Sequence, residues 1–188
     1  MRLNLPNILT ISRVAITPFF LVTILMETLP HRFLIACIIF SIASITDAID
    51  GHLARKNNIV TNFGKFLDPI ADKMLVTAAF LAFMQDGLCN IWIVMLMITR
   101  EFAITSVRLI AAAQGVVIPA NIGGKIKTVL QMVSLITVMV VGEINTVFSL
   151  GIPLAVISNV MLGITAAVSI ISGMVYLLDS RKVIDFKS

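Results

Sequence analysis

Six long apolar runs follow one another along the chain, each close to the length of a bilayer-spanning helix. Such a helix takes about 20 mostly apolar residues, and the runs fall at roughly 7–28, 32–54, 68–86, 88–113, 125–147 and 152–178. Polar or helix-breaking residues separate them at Pro30-His31, Arg55–Lys65, Asp86-Gly87, Gln114–Gly124 and Gly151–Pro153. Backbone polar groups within a bilayer must be satisfied inside the segment, so spans of this kind are helical. The pattern therefore predicts an all-α integral membrane protein with six transmembrane helices. No internal repeat or low-complexity linker interrupts it, which predicts a single membrane domain over residues 1–188. The opening MRLNLPNILTISR lacks the n-region and small-residue cleavage pattern of a signal peptide, so the first run is expected to be a retained helix.

Composition supports this reading. Hydrophobic residues make up 59% of the chain and charged residues 13%, about half the charged fraction of a soluble domain. The net charge of +4 comes from basic residues scattered between apolar runs, which points to membrane orientation and not to nucleic acid. Six spans place both termini on one side, together with Arg2, Arg55, Lys56, Lys65, Lys125, Lys127, Arg181, Lys182 and Lys187. The other side carries Arg32, Asp86 and Glu143. The positive-inside rule then predicts that both termini, and the loop after the second helix, are cytoplasmic. Trp92 and Tyr176 fall near span boundaries, where interfacial anchoring and core packing explain them about equally well. Cys37 and Cys89 lie far apart without ligand spacing and are expected to be packing residues.

Against this background four carboxylates stand out. Asp47 and Asp50 lie three apart near the end of the second run, and Asp68 and Asp72 lie four apart at the start of the third. Each spacing puts its pair on one helix face. About a dozen residues, Lys56 to Leu67, join the two helices, so antiparallel neighbours would bring the pairs to one membrane depth. Four close carboxylates repel one another unless their pKa values rise or cations bind between them. An all-oxygen set without His or Cys suits Mg2+, Mn2+ or Ca2+ over zinc. Gly51 and Ala54 leave the helix surface bare beside Asp50, and Arg55 offers a planar donor for phosphate. Gly64 is expected to permit tight re-entry into the third helix, and Pro69 to occupy that helix's first turn. A single membrane aspartate can pair structurally with Arg or Lys, although an intramembrane carboxylate is by default a functional residue. Four of them within 26 positions, interleaved with small residues and an Arg, favour a site.

Written as D(x)2DG(x)2AR(x)8G(x)3D(x)3D, the stretch TDAIDGHLARKNNIVTNFGKFLDPIAD resembles the signature of the CDP-alcohol phosphotransferase family at every fixed position. The six-run hydropathy is similar as well and extends the resemblance to the whole chain. The resemblance implies a membrane enzyme that transfers a phosphatidyl group from a CDP-linked lipid to an alcohol and releases CMP. It implies two divalent cations, Mg2+ or Mn2+, held by Asp47, Asp50, Asp68 and Asp72, with Asp72 also the general base. Gly51, Ala54 and Arg55 would line the cytidine diphosphate pocket, with Thr61 beside them. PNILTISR resembles the family's opening helix, which makes Asn7 and Thr10 candidate nucleotide contacts beside their ordinary reading as helix start and cap. A homodimer in the bacterial plasma membrane, among membrane lipids and with its active site facing the cytoplasm, is implied too.

The acceptor alcohol rests on a second polar cluster. The fourth run carries Arg100, Glu101, Thr105 and Arg108, and the segment before the fifth carries Lys125 and Lys127 in IGGKIKT. Arg108 lies two turns beyond Arg100 and roughly 80° round the helix, while Glu101 and Arg108 share a face through i+7. Glu101 is therefore a candidate structural partner for Arg108. Buried cations of this kind face an aqueous cavity or an anion. If Arg100, Arg108, Lys125 and Lys127 converge near the aspartates, the acceptor carries a phosphate of its own. ITREF, SVRLIAA and GKIKTVLQ resemble the branch of the family that joins CDP-diacylglycerol to glycerol-3-phosphate. Inositol phosphate or phosphatidylglycerol as acceptor are the sibling readings. A divalent-cation transporter is the rival of another class, and it predicts polar residues across the whole bilayer. The outer halves of the second and third runs are apolar.

Overall fold

A computed structural model describes residues 5–57, 62–114 and 122–181; for residues 5–10, 47–57, 62–70 and 72 it describes the helical backbone but not the side chains. The described residues form six helices: α1 (Leu5–Leu25), α2 (Arg32–Asn57), α3 (Asn62–Gln85), α4 (Ile91–Ala113), α5 (Ile122–Phe148) and α6 (Leu154–Ser180). Five of the six begin within about three residues of the apolar runs. The exception is α3, which starts at Asn62, six residues before its run, and α2 continues to Asn57. The polar stretch expected to be a dozen-residue connection is therefore largely helical, with residues 58–61 between the two helices. Gly64 and Pro69 consequently sit inside α3, not at its entry. A proline there removes one intrahelical N–H donor, a cost the surrounding turns must absorb. Helical propensity in NFGKFLD does not end where hydrophobicity does.

The chain divides into two compact units, Met1–Asp86 with Val138–Ile152, and Gly87–Thr137 with Pro153–Ser188. In the first, α1 packs against both α2 and α3. Its core joins Phe20 and Ile24 of α1, Ala36, Phe40 and Ala43 of α2, and Leu75, Ala79, Ala82 and Phe83 of α3. Phe20 and Phe40 meet at a centroid separation of 5.8 Å with tilted rings, within the favourable range for aromatic pairs. The alanines of α3 let a neighbouring helix approach closely. Helix ends in this unit are closed by side chains from elsewhere in it. Glu143 of α5 accepts the Leu34 backbone N–H at 3.1 Å, in the first turn of α2, and its other oxygen meets His31 Nδ1 at 2.5 Å. Arg32 donates to the Ile24 carbonyl at 2.9 Å, in the last turn of α1, and pairs with Asp86 at 2.9 Å. These contacts satisfy donors and acceptors that helix termini leave open.

In the second unit α4 packs against α6. The buried face of α4 is Val94, Met97, Ile104 and Ala111. That of α6 is mostly small or hydroxylic, including Ser158, Thr165, Ala166, Ser169, Ser172 and Gly173. Its large apolar residues, such as Val160, Ile164, Ile171 and Leu178, are exposed. A soluble protein distributes these types the other way round. Ser134 of α5 and Thr165 of α6 share a hydroxyl hydrogen bond at 2.9 Å. Asn90 caps α4 by accepting from the Trp92 N–H at 2.9 Å, and its own N–H donates to Asn159 Oδ1 at 2.7 Å.

Two helices, α5 and α6, are long and apolar enough to cross a membrane among the described residues. Each has 27 residues, about 40 Å of helix against a hydrocarbon core of about 30 Å. The shorter apolar helices are Ile11–Leu25, Arg32–Thr46 and Lys73–Gln85, where α1, α2 and α3 are described only in part. Both cysteines are buried and free, as packing residues should be. Trp92 is exposed at the start of α4, whereas Tyr176 is buried.

Candidate active site

Both aspartate pairs lie on helices of the first unit: Asp47 and Asp50 on α2, with Gly51, Ala54 and Arg55, and Asp68 and Asp72 on α3. Asn7 and Thr10 lie on α1. The side chains of these nine residues are outside the described ones, and Thr61 lies outside them altogether. Their register is nonetheless fixed by the helices. Each residue advances about 100°, so Asp47, Gly51 and Ala54 continue the stripe of α2 formed by Phe33, Ala36 and Phe40, all buried. Asp68 and Asp72 continue the buried stripe of Leu75, Ala79, Ala82 and Phe83 on α3. Thr10 stands one turn before Arg13 and close to the line of buried Arg13, Thr17, Phe20 and Ile24 on α1.

Chemically, the four carboxylates offer only oxygen donors, which fits hard divalent cations. Gly51 and Ala54, being on the same stripe, add no bulk there. The donor set and the register therefore fit the two cations that the family resemblance implies.

The basic cluster belongs to the second unit, and here the side chains are described. Arg100 is fastened along α6. Its Nε donates to the Ser169 carbonyl at 3.2 Å, Nη2 to Ser172 Oγ at 3.1 Å and Nη1 to Glu101 Oε1 at 3.1 Å. Gly173 makes room for it: a Cβ on that residue would lie 3.2 Å from Arg100 Cγ and 3.3 Å from Nε. Lys127 of α5, with its side chain only 6% exposed, donates to the same Glu101 oxygen. Glu101 thus bridges Arg100 and Lys127, and Arg108 turns to another partner. Its Nε donates to the Tyr176 hydroxyl at 3.2 Å, and the guanidinium lies 5.3 Å from that ring's centroid. Arg108 and Lys125 are exposed. The i+7 relation between Glu101 and Arg108 gave a plausible partner on the same helix, but Glu101 meets its neighbour Arg100 and Lys127 of α5, and Arg108 meets Tyr176 of α6. Ser169, Ser172 and Gly173 were not singled out by sequence reasoning, and Tyr176 only as an interfacial or packing residue. The signal for them was the run of small and hydroxylic residues at helical spacing in α6.

Comparison with known proteins bears on both clusters. A family model described as CDP-alcohol phosphatidyltransferase matches residues 3–171. A CDP-diacylglycerol–glycerol-3-phosphate 3-phosphatidyltransferase of Bacillus subtilis is 46% identical over 142 residues, covering 70% of this chain and 74% of its own length. The protein of the same name from Rickettsia bellii is 36% identical over 179 residues, covering 95% of this chain and 96% of its own. A probable phosphatidylglycerophosphate synthase of Mycobacterium tuberculosis is 42% identical over 134 residues, covering 70% and 64%. The matched span takes in the whole aspartate motif and the basic cluster, and the chain belongs to the CDP-alcohol phosphatidyltransferase family.

Proposed function

We propose that this protein transfers the phosphatidyl group of CDP-diacylglycerol to sn-glycerol-3-phosphate, giving phosphatidylglycerophosphate and CMP in phospholipid biosynthesis. The observation that carries the reading is the near full-length similarity to the Rickettsia bellii protein, whose name states that reaction. The motif and the basic cluster agree with it chemically.

Asp72 takes the proton from the acceptor hydroxyl, and the resulting oxygen attacks the phosphorus that bears the diacylglycerol. The bond from that phosphorus to the CMP oxygen breaks as the new one forms. Asp47, Asp50, Asp68 and Asp72 would hold two divalent cations, Mg2+ or Mn2+. When bound, these supply neutralisation of the phosphoryl oxygens and of the leaving CMP. Positioned general bases of this kind contribute about 10²- to 10⁴-fold. Gly51, Ala54 and Arg55, with Asn7, Thr10 and Thr61, receive the CDP moiety. The basic cluster on α4 and α5 binds the acceptor's own phosphate.

The protein works as a multi-pass enzyme of the bacterial plasma membrane. It has six spans in a single domain, both termini and the aspartate site facing the cytoplasm, and a homodimeric assembly. Support for the membrane setting comes from α6, where hydroxyls are buried and large apolar side chains are exposed. Charge placement supports the orientation.

The test is direct. Purified protein supplied with CDP-diacylglycerol, Mg2+ and labelled glycerol-3-phosphate should release CMP and place the label in a lipid. Release of CMP with inositol phosphate or phosphatidylglycerol but not with glycerol-3-phosphate would overturn the acceptor.

A further inference from the structure

One buried cation of the first unit has no part in the roles given above. Arg13 lies on α1 and is only 6% exposed, in line with buried Thr17, Phe20 and Ile24. An arginine inside an apolar bundle is costly unless an anion answers it. Its level in the bundle follows from the packing beyond it. Helices α1 and α2 are antiparallel: Arg32, the first residue of α2, donates to the Ile24 carbonyl in the last turn of α1, and further in Phe20 meets Phe40.

That ring contact sets the register between the two helices. Arg13 stands seven residues before Phe20, and Asp47 seven residues after Phe40. Seven residues are two helical turns, about 10 Å along each axis and within about 20° of the starting face. Arg13 therefore comes opposite the Asp47 position, on the faces by which α1 and α2 pack. Helix α1 also packs against α3, where Ala71, next to Asp72 in sequence, is fully buried. A long side chain on a helix leans toward the helix N-terminus, which for α1 is the aspartate-bearing end. The other direction is apolar, with Phe20, Phe40, Ala43 and Leu75 buried there, and the Thr17 hydroxyl donates to the Arg13 carbonyl at 2.9 Å.

We propose that Arg13 is a positioning residue for the cation site, its paired guanidinium donors holding the Asp47 carboxylate while lone pairs remain for metal. The inference rests on the reading of the motif's aspartates as that site. A ligating carboxylate that is itself hydrogen-bonded keeps one orientation, and loss of such an outer partner costs about 10- to 100-fold in metal affinity. Arginine suits the task because its planar fork gives two parallel bonds to one carboxylate. Lysine at the same place keeps the charge and loses the fork.

The experiment measures Mn2+ binding without substrates, from the free-ion EPR signal, in detergent-solubilised native protein and in Arg13→Gln, Arg13→Lys and Arg32→Ala. Thermal unfolding with and without Mn2+ accompanies it. Arg13→Gln should weaken Mn2+ binding about 10- to 100-fold and lose most of the Mn2+-dependent rise in the unfolding midpoint. Arg13→Lys should recover part of the affinity and not all of it. Arg32→Ala removes the ion pair at the other end of α2 and lowers stability, yet it should bind Mn2+ as the native protein does. Native affinity in folded Arg13→Gln overturns the proposal. So does an equal loss of affinity in Arg32→Ala, because destabilisation alone would then account for both. If Arg13→Gln does not fold, Arg13→Lys decides, and native affinity there overturns the paired-donor role. A native protein that binds no Mn2+ would refute the cation site and this role with it, whereas tight native binding with an indifferent Arg13→Gln refutes the role alone.

Discussion

Within the first unit two sets of carboxylates can be compared: Asp86 and Glu143, and the four aspartates of the motif on α2 and α3. Asp86 pairs with Arg32 at 2.9 Å, and Glu143 meets His31 while capping α2. Both are answered by neighbours and complete helix ends. Asp47 and Asp50 belong to α2 and Asp68 and Asp72 to α3, with Arg55 the lone basic residue in the motif's fixed positions. Their oxygen-only donor set suits the hard cations of the proposed function. A carboxylate in an apolar chain is therefore not diagnostic by itself. The contacts that complete helix ends mark Asp86 and Glu143 as structural, and the motif's spacing marks the proposed catalytic quartet.

This contrast can be broken by substitution, and the expected effects are graded. Asp50→Asn should lower turnover by about two orders of magnitude and raise the Mn2+ concentration needed for half-maximal activity at least tenfold. A metal titration of activity checks this, and an unchanged metal requirement would remove Asp50 from the site. Arg32→Ala strands Asp86 and uncaps α1, which should cost about 2 kcal/mol of stability for a pair that is only partly buried. Unfolding in detergent measures that loss, and turnover per folded molecule should barely move. Glu143→Gln retains an acceptor for the Leu34 N–H and loses the charge opposite His31. A cost of about 1 kcal/mol is expected by the same measurement. A larger loss of activity than of stability in either variant would blur the distinction.

The division between what was legible in the sequence and what was not follows the range of the interactions. Helix number could be read from apolar runs because bilayer thickness sets their length, and α4–α6 begin within three residues of their runs. The start of α3 could not, because its first turns are polar and contain Gly64 and Pro69, which read as breakers. The aspartate motif was visible because its meaning lies in spacing along two adjoining helices. The basic cluster was visible as a set of costly charges, but its wiring was not. Glu101 and Lys127 are 26 residues apart, and Arg100 and Ser172 are 72 apart. Register along α4 alone offers Arg108 as the natural partner of Glu101, and only tertiary packing brings Lys127 to it. The capping of α2 by Glu143, 109 residues beyond Leu34, was hidden for the same reason.

The central claim is that the four carboxylates of the motif perform the chemistry, whereas Asp86 and Glu143 hold the fold. The measurement that tests it most directly is CMP release per folded molecule from Asp72→Asn and Asp86→Asn, assayed side by side with CDP-diacylglycerol, glycerol-3-phosphate and saturating Mg2+. The account predicts a loss of about 10³-fold or more for Asp72→Asn, with CDP-lipid binding retained, and a change of less than about threefold for Asp86→Asn. Equal losses in the two variants, or an Asp72→Asn protein that turns over normally, would contradict it.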